Sequence, residues 1–406
     1  MKRFATFAVM TYVSAFVLTM TAQQPPRGPH SDGQQIFRFD SFGDEQLWTD
    51  VLRMHEVLPS VPPATALGVG LKVDSDALPP PVIAAIQGGR LDVNDPRVTV
   101  RLLEMNAVVG VVGKVVGGDR LQSVGITCAL CHSTVDDSLA PGIGKRLDGW
   151  PNRDLNVGAI VGLSPSRVID PFRQEFSGWG PGKYDARHHI FDGANLRVLH
   201  PPTASGRETI PVVIPPAYGL QGVGFETYTG DGPISYWNSY VGVTQMGGQG
   251  NFKDPRIGVD VVQKPDLVTS KLPALLAYQL SLPAPSPPPG SFNEAAAARG
   301  AILFNGVARC GTCHIPPTYT DVMRSDRTVP FLHTPAEIGA DPEYAARSAT
   351  GLYRTTPLRG AWQHPPYFHD GRAADLLAVV NYYNSWFSLG LTDEQKADLV
   401  EFLKSL

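Results

Sequence analysis

The sequence predicts a mainly α-helical chain with many loops, arranged as two units of which the first is enlarged. Three observations carry this. The pattern C-x-x-C-H occurs twice, as Cys128-Ala129-Leu130-Cys131-His132 and Cys310-Gly311-Thr312-Cys313-His314, and uses all four cysteines. There are 41 glycines and 37 prolines among 406 residues, about 19% against a usual share of roughly 12%, which excludes a coiled coil or plain helical bundle. Five prolines fall between Leu282 and Gly290, a stiff extended spacer between two stretches of different length.

From the N-terminus, Met1 to Gln23 reads as a secretory signal. Lys2 and Arg3 open it, Phe4 to Met20 is uncharged and largely apolar, and Ala22 suits cleavage. That places a signal peptide at 1–22 and the protein in the periplasm. The alternative is an uncleaved anchor, for which the apolar stretch is barely long enough. No later segment has transmembrane character, so the mature chain carries no membrane span. The net charge of −4 argues against nucleic acid, whose phosphates need clustered Lys and Arg.

Asp44 to Leu58 has helical spacing of Leu47, Val51, Met54 and Leu58, with Asp44 as a candidate N-cap. Asp95 and Pro96 mark the start of another helix. Val115 to Asp119 has the pattern of a strand turning back toward the first cysteine pair. Trp179 to Gly250, rich in Gly, Pro and aromatics, predicts loops with short strands. Beyond the spacer, Ser291-Phe292-Asn293-Glu294 has the form of a capping box opening a helix to Phe304. A second box, Thr392 to Gln395, opens the last helix, with Leu399, Phe402, Leu403 and Leu406 on one face.

C-x-x-C-H is the attachment signature of c-type haem: two thiols bind the macrocycle and the histidine lies under the iron. A zinc site would bring its cysteine pairs far closer in sequence, and a thioredoxin-like site would be single. The expectation is two covalent haems, held by Cys128, Cys131 and His132 and by Cys310, Cys313 and His314. The helix, motif, loops and closing helix of 291–406 follow the plan of a small cytochrome c. The first haem unit, 23–281, is enlarged by insertions, and 282–290 links the two.

Each iron has a sixth position. Met323 lies only nine residues beyond His314, too near to reach the far face easily. His333, His364, His369, Tyr382 and Tyr383 remain for the second haem. His188, His189, His200 and Met246 are open choices for the first.

Arg354-Thr355-Thr356-Pro357-Leu358-Arg359-Gly360 and Pro366-Tyr367-Phe368-His369-Asp370-Gly371 resemble the bacterial di-haem cytochrome c peroxidase family, which includes the MauG-type enzymes. The likeness is strong over Ser291 to Leu406, moderate over Cys128 to Asn156 and weak elsewhere. Family peroxidases carry a methionine ligand 14 residues past the histidine of F-H-D-G. Here that position is Tyr383, and MauG-type enzymes place a tyrosine there. The resemblance thus implies a His314/Tyr383 pair, with Tyr382 as the fallback. Relatives also have H-G-W, whose histidine caps the first haem; here it reads Asp148-Gly149-Trp150. The first iron is then expected to be open to peroxide, with Asp148 as a carboxylate for moving protons, unless Met246 caps it.

Other family features transfer less directly. The inter-haem tryptophan has no match at its spacing; Phe172 stands nearest and Trp179 is the closest Trp. For the distal Gln/Glu pair, Gln174, Glu175 and Glu226 are candidates. A calcium ion between the units would draw on Asn156 and on carbonyls near His364 and Pro366. Two functions follow. One is a peroxidase-like or MauG-like oxidoreductase using hydrogen peroxide and exchanging electrons with a periplasmic partner protein. The other is a non-enzymatic electron carrier with both haems six-coordinate.

Overall fold

The computed structural model describes residues 29–186, 205–207, 209–323 and 330–406. The signal segment and His188, His189 and His200 lie outside the described residues. The described chain is mainly helical, with short strands and long connections. Its strands form only two-stranded pairs. No described helix is long and apolar enough to cross a membrane.

Two helix pairs frame the molecule. The helix Pro29–Phe39 packs on Leu272–Ser281, and Glu294–Asn305 packs on Asp393–Lys404. Each pair closes the long stretch of chain between its two members. Pro96–Glu104 is capped by the Asp95 carboxylate with Pro96 in its first turn, and Val111–Val116 pairs with Arg120–Ile126 as a hairpin. Both agree with the sequence pattern. The Thr392/Gln395 capping box is complete. At the other helix the cap is Asn293, whose side chain accepts from the Ala296 amide at 2.9 Å, rather than Ser291.

Two further expectations differ from what is found. Asp44 to Leu58 is no continuous helix: a π-helical turn, Gln46–Val51, precedes a one-turn helix, Met54–Val57. Arg53 between them takes φ 55°, which breaks helical continuity. Asp44 reaches instead to the Ile126 amide at 3.1 Å, tying this segment to the hairpin. Within 179–250 the short strands Lys183–Tyr184 and Val212–Val213 pair, but a ten-residue helix, Ile234–Val243, also forms. Its β-branched and aromatic residues have weak helix propensity. Burial of Trp237, Tyr240 and Val243 in the core overrides it.

The proline-rich segment lies strapped along the body. Leu282 O accepts from the Gly219 amide at 2.8 Å, and Pro285 O accepts from Trp362 Nε1 at 3.3 Å. One large apolar cluster gathers Leu47, Trp48, Leu103, Leu155 and Phe176. A second gathers Phe37, Phe42, Trp237, Tyr240 and Met246. A third gathers Phe304, Val380, Leu399 and Leu403.

Candidate functional site

Both C-x-x-C-H histidines are set in the same way. His132 Nδ1 lies 3.1 Å from Pro215 O, and His314 Nδ1 lies 3.0 Å from Tyr319 O. A carbonyl can only accept, so each ring carries its proton on Nδ1 and keeps the Nε2 lone pair. Burial pushes His132 down to about 4 and His314 in the same direction. Both rings are therefore neutral, the form that binds iron. Burial also pushes the Cys128 and Cys131 thiols up to about 12 and Cys310 to about 11.

The first motif lies at a seam. Cys131 packs against the large cluster and Cys128 against the one holding Met246. A short strand pair, Ser133–Val135 with Arg146–Asp148, leads directly out of it. Gly149 N donates to His132 O at 2.8 Å.

The second motif opens into a cavity of about 430 Å³. Cys310, Cys313 and His314 line it from one side, and Leu376, Val380 and Tyr383 of the helix Leu376–Trp386 from another. Tyr383 thus shares a cavity with His314, and burial pushes its phenol up. Tyr382 faces elsewhere: its hydroxyl donates to Gly339 O at 2.8 Å, and it is not among the lining residues. His333, His364 and His369 also line the cavity. His333 is held by Glu337, Asp321 and Thr355. His364 lies 3.3 Å from Arg153 Nη2, and His369 stacks on Tyr344. Met323 is half-exposed and rests against Gly224.

The chemistry of this donor set fits haem c. The thiols and neutral imidazole supply attachment and a ligand. Arg153, Arg354 and Arg359 line the same cavity, and the Nε of each is buried without a partner. Orphaned buried N–H groups are costly, and an acidic cofactor edge would satisfy them.

Asp148 is enclosed. Its side chain is 3% exposed and meets Arg38 Nε at 2.5 Å, Tyr278 Oη at 2.5 Å and Ser133 Oγ at 2.8 Å. Burial and then the Asp148 charge push the Tyr278 phenol up, so it stays the donor. Glu226 lines the cavity of the second motif and pairs with Arg354 at 2.8 Å. Burial raises its carboxyl, opposed by that guanidinium. Trp179 packs on Phe176 and Tyr184.

The donors proposed for calcium do not fit a divalent cation. The Asn156 side chain caps the helix Val157–Gly162 through the Ala159 amide at 2.9 Å. Pro366 O accepts from Arg153 Nη1 at 3.4 Å. Lys183 brings its side chain to Gly371, beside Pro366. Positive side chains already occupy this junction.

No family model matches the chain. It is 30% identical over 124 residues to the methylamine utilization protein MauG of Methylorubrum extorquens, covering 27% of this chain and 34% of that protein. It is 30% identical over 147 residues to the cytochrome-c peroxidase IdrP1 of a Pseudomonas species, covering 27% of this chain and 39% of that protein. The chain is a distant homologue of MauG and the di-haem cytochrome c peroxidases. The matches span between a third and two-fifths of those relatives' length. Among solved structures, a MauG-like protein associated with microbial copper homeostasis overlaps 51% of this chain and 76% of its own, with 20% identity and a TM-score of 0.34.

Two further residues at the motifs, Trp362 and Pro215, carry no mark in the sequence, and Trp150 has a contact that its D-G-W string does not announce. Trp150 and Trp362 meet edge to face at 6.0 Å, and Trp150 also meets Tyr218, which lines the cavity. Pro215 contacts His132 and lines that cavity too. The D-G-W string was the available signal for Trp150. Pro215 acts through its carbonyl, which leaves no mark in residue type.

Proposed function

We propose that the chain is an exported di-haem c-type oxidoreductase of the MauG or peroxidase kind. Cys128, Cys131 and His132 hold one haem, and Cys310, Cys313 and His314 the other. Haem supplies one-electron redox chemistry and an iron site for peroxide. One observation carries the reading: Tyr383 and His314 line a single cavity with both attachment cysteines. Tyr383 would supply a second ligand to the haem iron held by His314, a role that Tyr382, committed to the Gly339 carbonyl, is poorly placed to take.

The chain's residues divide the work. Pro215 and Tyr319 fix the two imidazoles. Arg153, Arg354 and Arg359 would hold the acidic edge of the second haem. Asp148, with three donors on it, suits a fixed tie for the His132 segment better than a mobile proton carrier. Glu226 places a carboxyl at the second cavity, where Arg354 orients it. Substrate and electron partner follow the family's chemistry: hydrogen peroxide and a periplasmic redox protein.

The six-coordinate electron carrier draws on one observation, Met246 buried in the cluster that receives Cys128. Spectra of the holoprotein decide between them. A ferric high-spin haem that changes rapidly on adding peroxide supports the oxidoreductase; two low-spin haems indifferent to peroxide and carbon monoxide refute it. Tyr383→Phe is expected to alter the second haem's spectrum alone and raise its potential by removing an anionic ligand. An unaltered spectrum overturns the ligand assignment.

A further inference from the structure

We propose that Trp386 is the surface port through which single electrons reach the second haem site. The inference rests on the haem assignment above. Tyr382 and Trp386, and Tyr383 and Phe387, stand four residues apart on and just beyond the helix Leu376–Trp386, so each pair shares a helix face. Tyr382 and Trp386 stack with centroids 6.2 Å apart and planes 6° apart. Tyr383 and Phe387 stack at 5.8 Å and 10°. Tyr382 and Tyr383 meet edge to face at 5.2 Å, joining the two columns. The inner end, Tyr383, lines the cavity with His314. Phe387 lines the cavity too and is 49% exposed, while Trp386, outside the cavity, is 48% exposed. An unbroken run of ring contacts thus leads from the cavity to solvent.

The chemistry of the rings assigns their parts. Phenylalanine is too hard to oxidise to serve as a station. Tyr382 is a poor one here. The Arg372 guanidinium lies 4.7 Å over its ring, and its hydroxyl donates to carbonyls, which cannot take its proton. Removing an electron from Tyr382 is therefore opposed twice, and it serves as a bridge. Trp386 has the most readily oxidised ring of the group. Its Nε1–H donates to Glu337 O at 3.1 Å, so a carbonyl dipole favours positive charge on the indole. Half-exposed, it can meet a donor directly. The electron count closes. Hydrogen peroxide takes two electrons and two protons to give two waters. Each electron passes inward from Trp386, and a one-electron donor at the surface restores the indole.

The test uses holoprotein reduced to the ferrous state and photogenerated ruthenium(III) tris-bipyridine as a diffusing one-electron oxidant, which becomes ruthenium(II). A transient tryptophan radical should precede ferric second haem in the parent protein. Trp386→Phe keeps an aromatic ring on Tyr382 and should slow that haem's oxidation roughly tenfold while leaving its resting spectrum unchanged. Phe387→Leu should leave the rate unaltered. Equal rates in the parent and Trp386→Phe overturn the proposal, as does slowing confined to Phe387→Leu. A peroxide arm separates the two claims. If peroxide changes the haem spectra but spin-trap adducts never map to Trp386, the port fails and the oxidoreductase stands. If peroxide is ignored, the oxidoreductase reading fails, and the flash rates still decide the port.

Discussion

Asp148 follows the first C-x-x-C-H motif by 16 residues, and its contacts show what the carboxylate does there. It accepts from Arg38, Tyr278 and Ser133 at once, so it joins the helices Pro29–Phe39 and Leu272–Ser281 to the strand that follows His132. Asp148→Asn keeps the shape and removes the charge. Charge-assisted hydrogen bonds contribute about 1.5–3 kcal/mol each and these are coupled, so a loss of about 1–3 kcal/mol is expected. Urea denaturation of holoprotein measures it, and an unchanged midpoint contradicts the tie. His364 sets a pH dependence. Burial, and then Arg153, push it down to about 3, while the unfolded chain takes its proton near 6.5. The stability this histidine contributes is complete above pH 6.5. It is lost as pH falls toward 3, with a slope of about 1.4 kcal/mol per unit. His364→Asn should flatten the fall in unfolding free energy below pH 6.5 by that slope; parallel curves would show that His364 is not the group.

At the scale of elements, the crossing of Glu294–Asn305 on Asp393–Lys404 is set by one glycine. A Cβ on Gly300 would meet Asp398 O at 2.1 Å, and Arg299 grips the Asp398 carboxylate from the same turn. Gly300→Ala gains about 1 kcal/mol of helix propensity. It must also push apart two helices whose Phe304, Leu399 and Leu403 line the second cavity, an overpacking cost of about 1–3 kcal/mol or more. Net destabilisation with a disturbed second-haem spectrum is expected; a more stable protein would mean the helices separate freely. The two helices were legible in the sequence, because caps and apolar faces are local, although Asn293 and not Ser291 caps the first, and their crossing was not. The helix Ile234–Val243 was not, because only its burial makes weak helix formers helical. The break at Arg53 was hidden too, since Asp44 finds its partner 82 residues away. The candidate site divides in the same way. Cys128, His132, Cys310 and His314 announce themselves by spacing, whereas Glu226 joins the second motif only through the fold.

Across the whole molecule, positive charge gathers where the segment around Arg153 meets the segment 364–371. Arg153 comes from the first unit and reaches Pro366 O and His364 of the second, with Lys183 alongside Gly371. Its Nε, buried without a partner, lies at the cavity wall. A fixed guanidinium can bridge backbone carbonyls to an acidic cofactor edge, whereas a divalent cation there would face two like charges. Such repulsion is little screened in a partly buried site. The union of the units should therefore be indifferent to calcium. Holoprotein treated with a chelator is expected to keep its melting temperature and both haem spectra, and metal analysis after gel filtration should find no stoichiometric calcium. Arg153→Gln removes the charge but keeps hydrogen-bonding groups. It should lower the melting temperature and perturb the second haem, with no rescue by added calcium. Loss of stability on chelation, restored by calcium alone, would show that the junction keeps a metal and that Arg153 does not stand in for it.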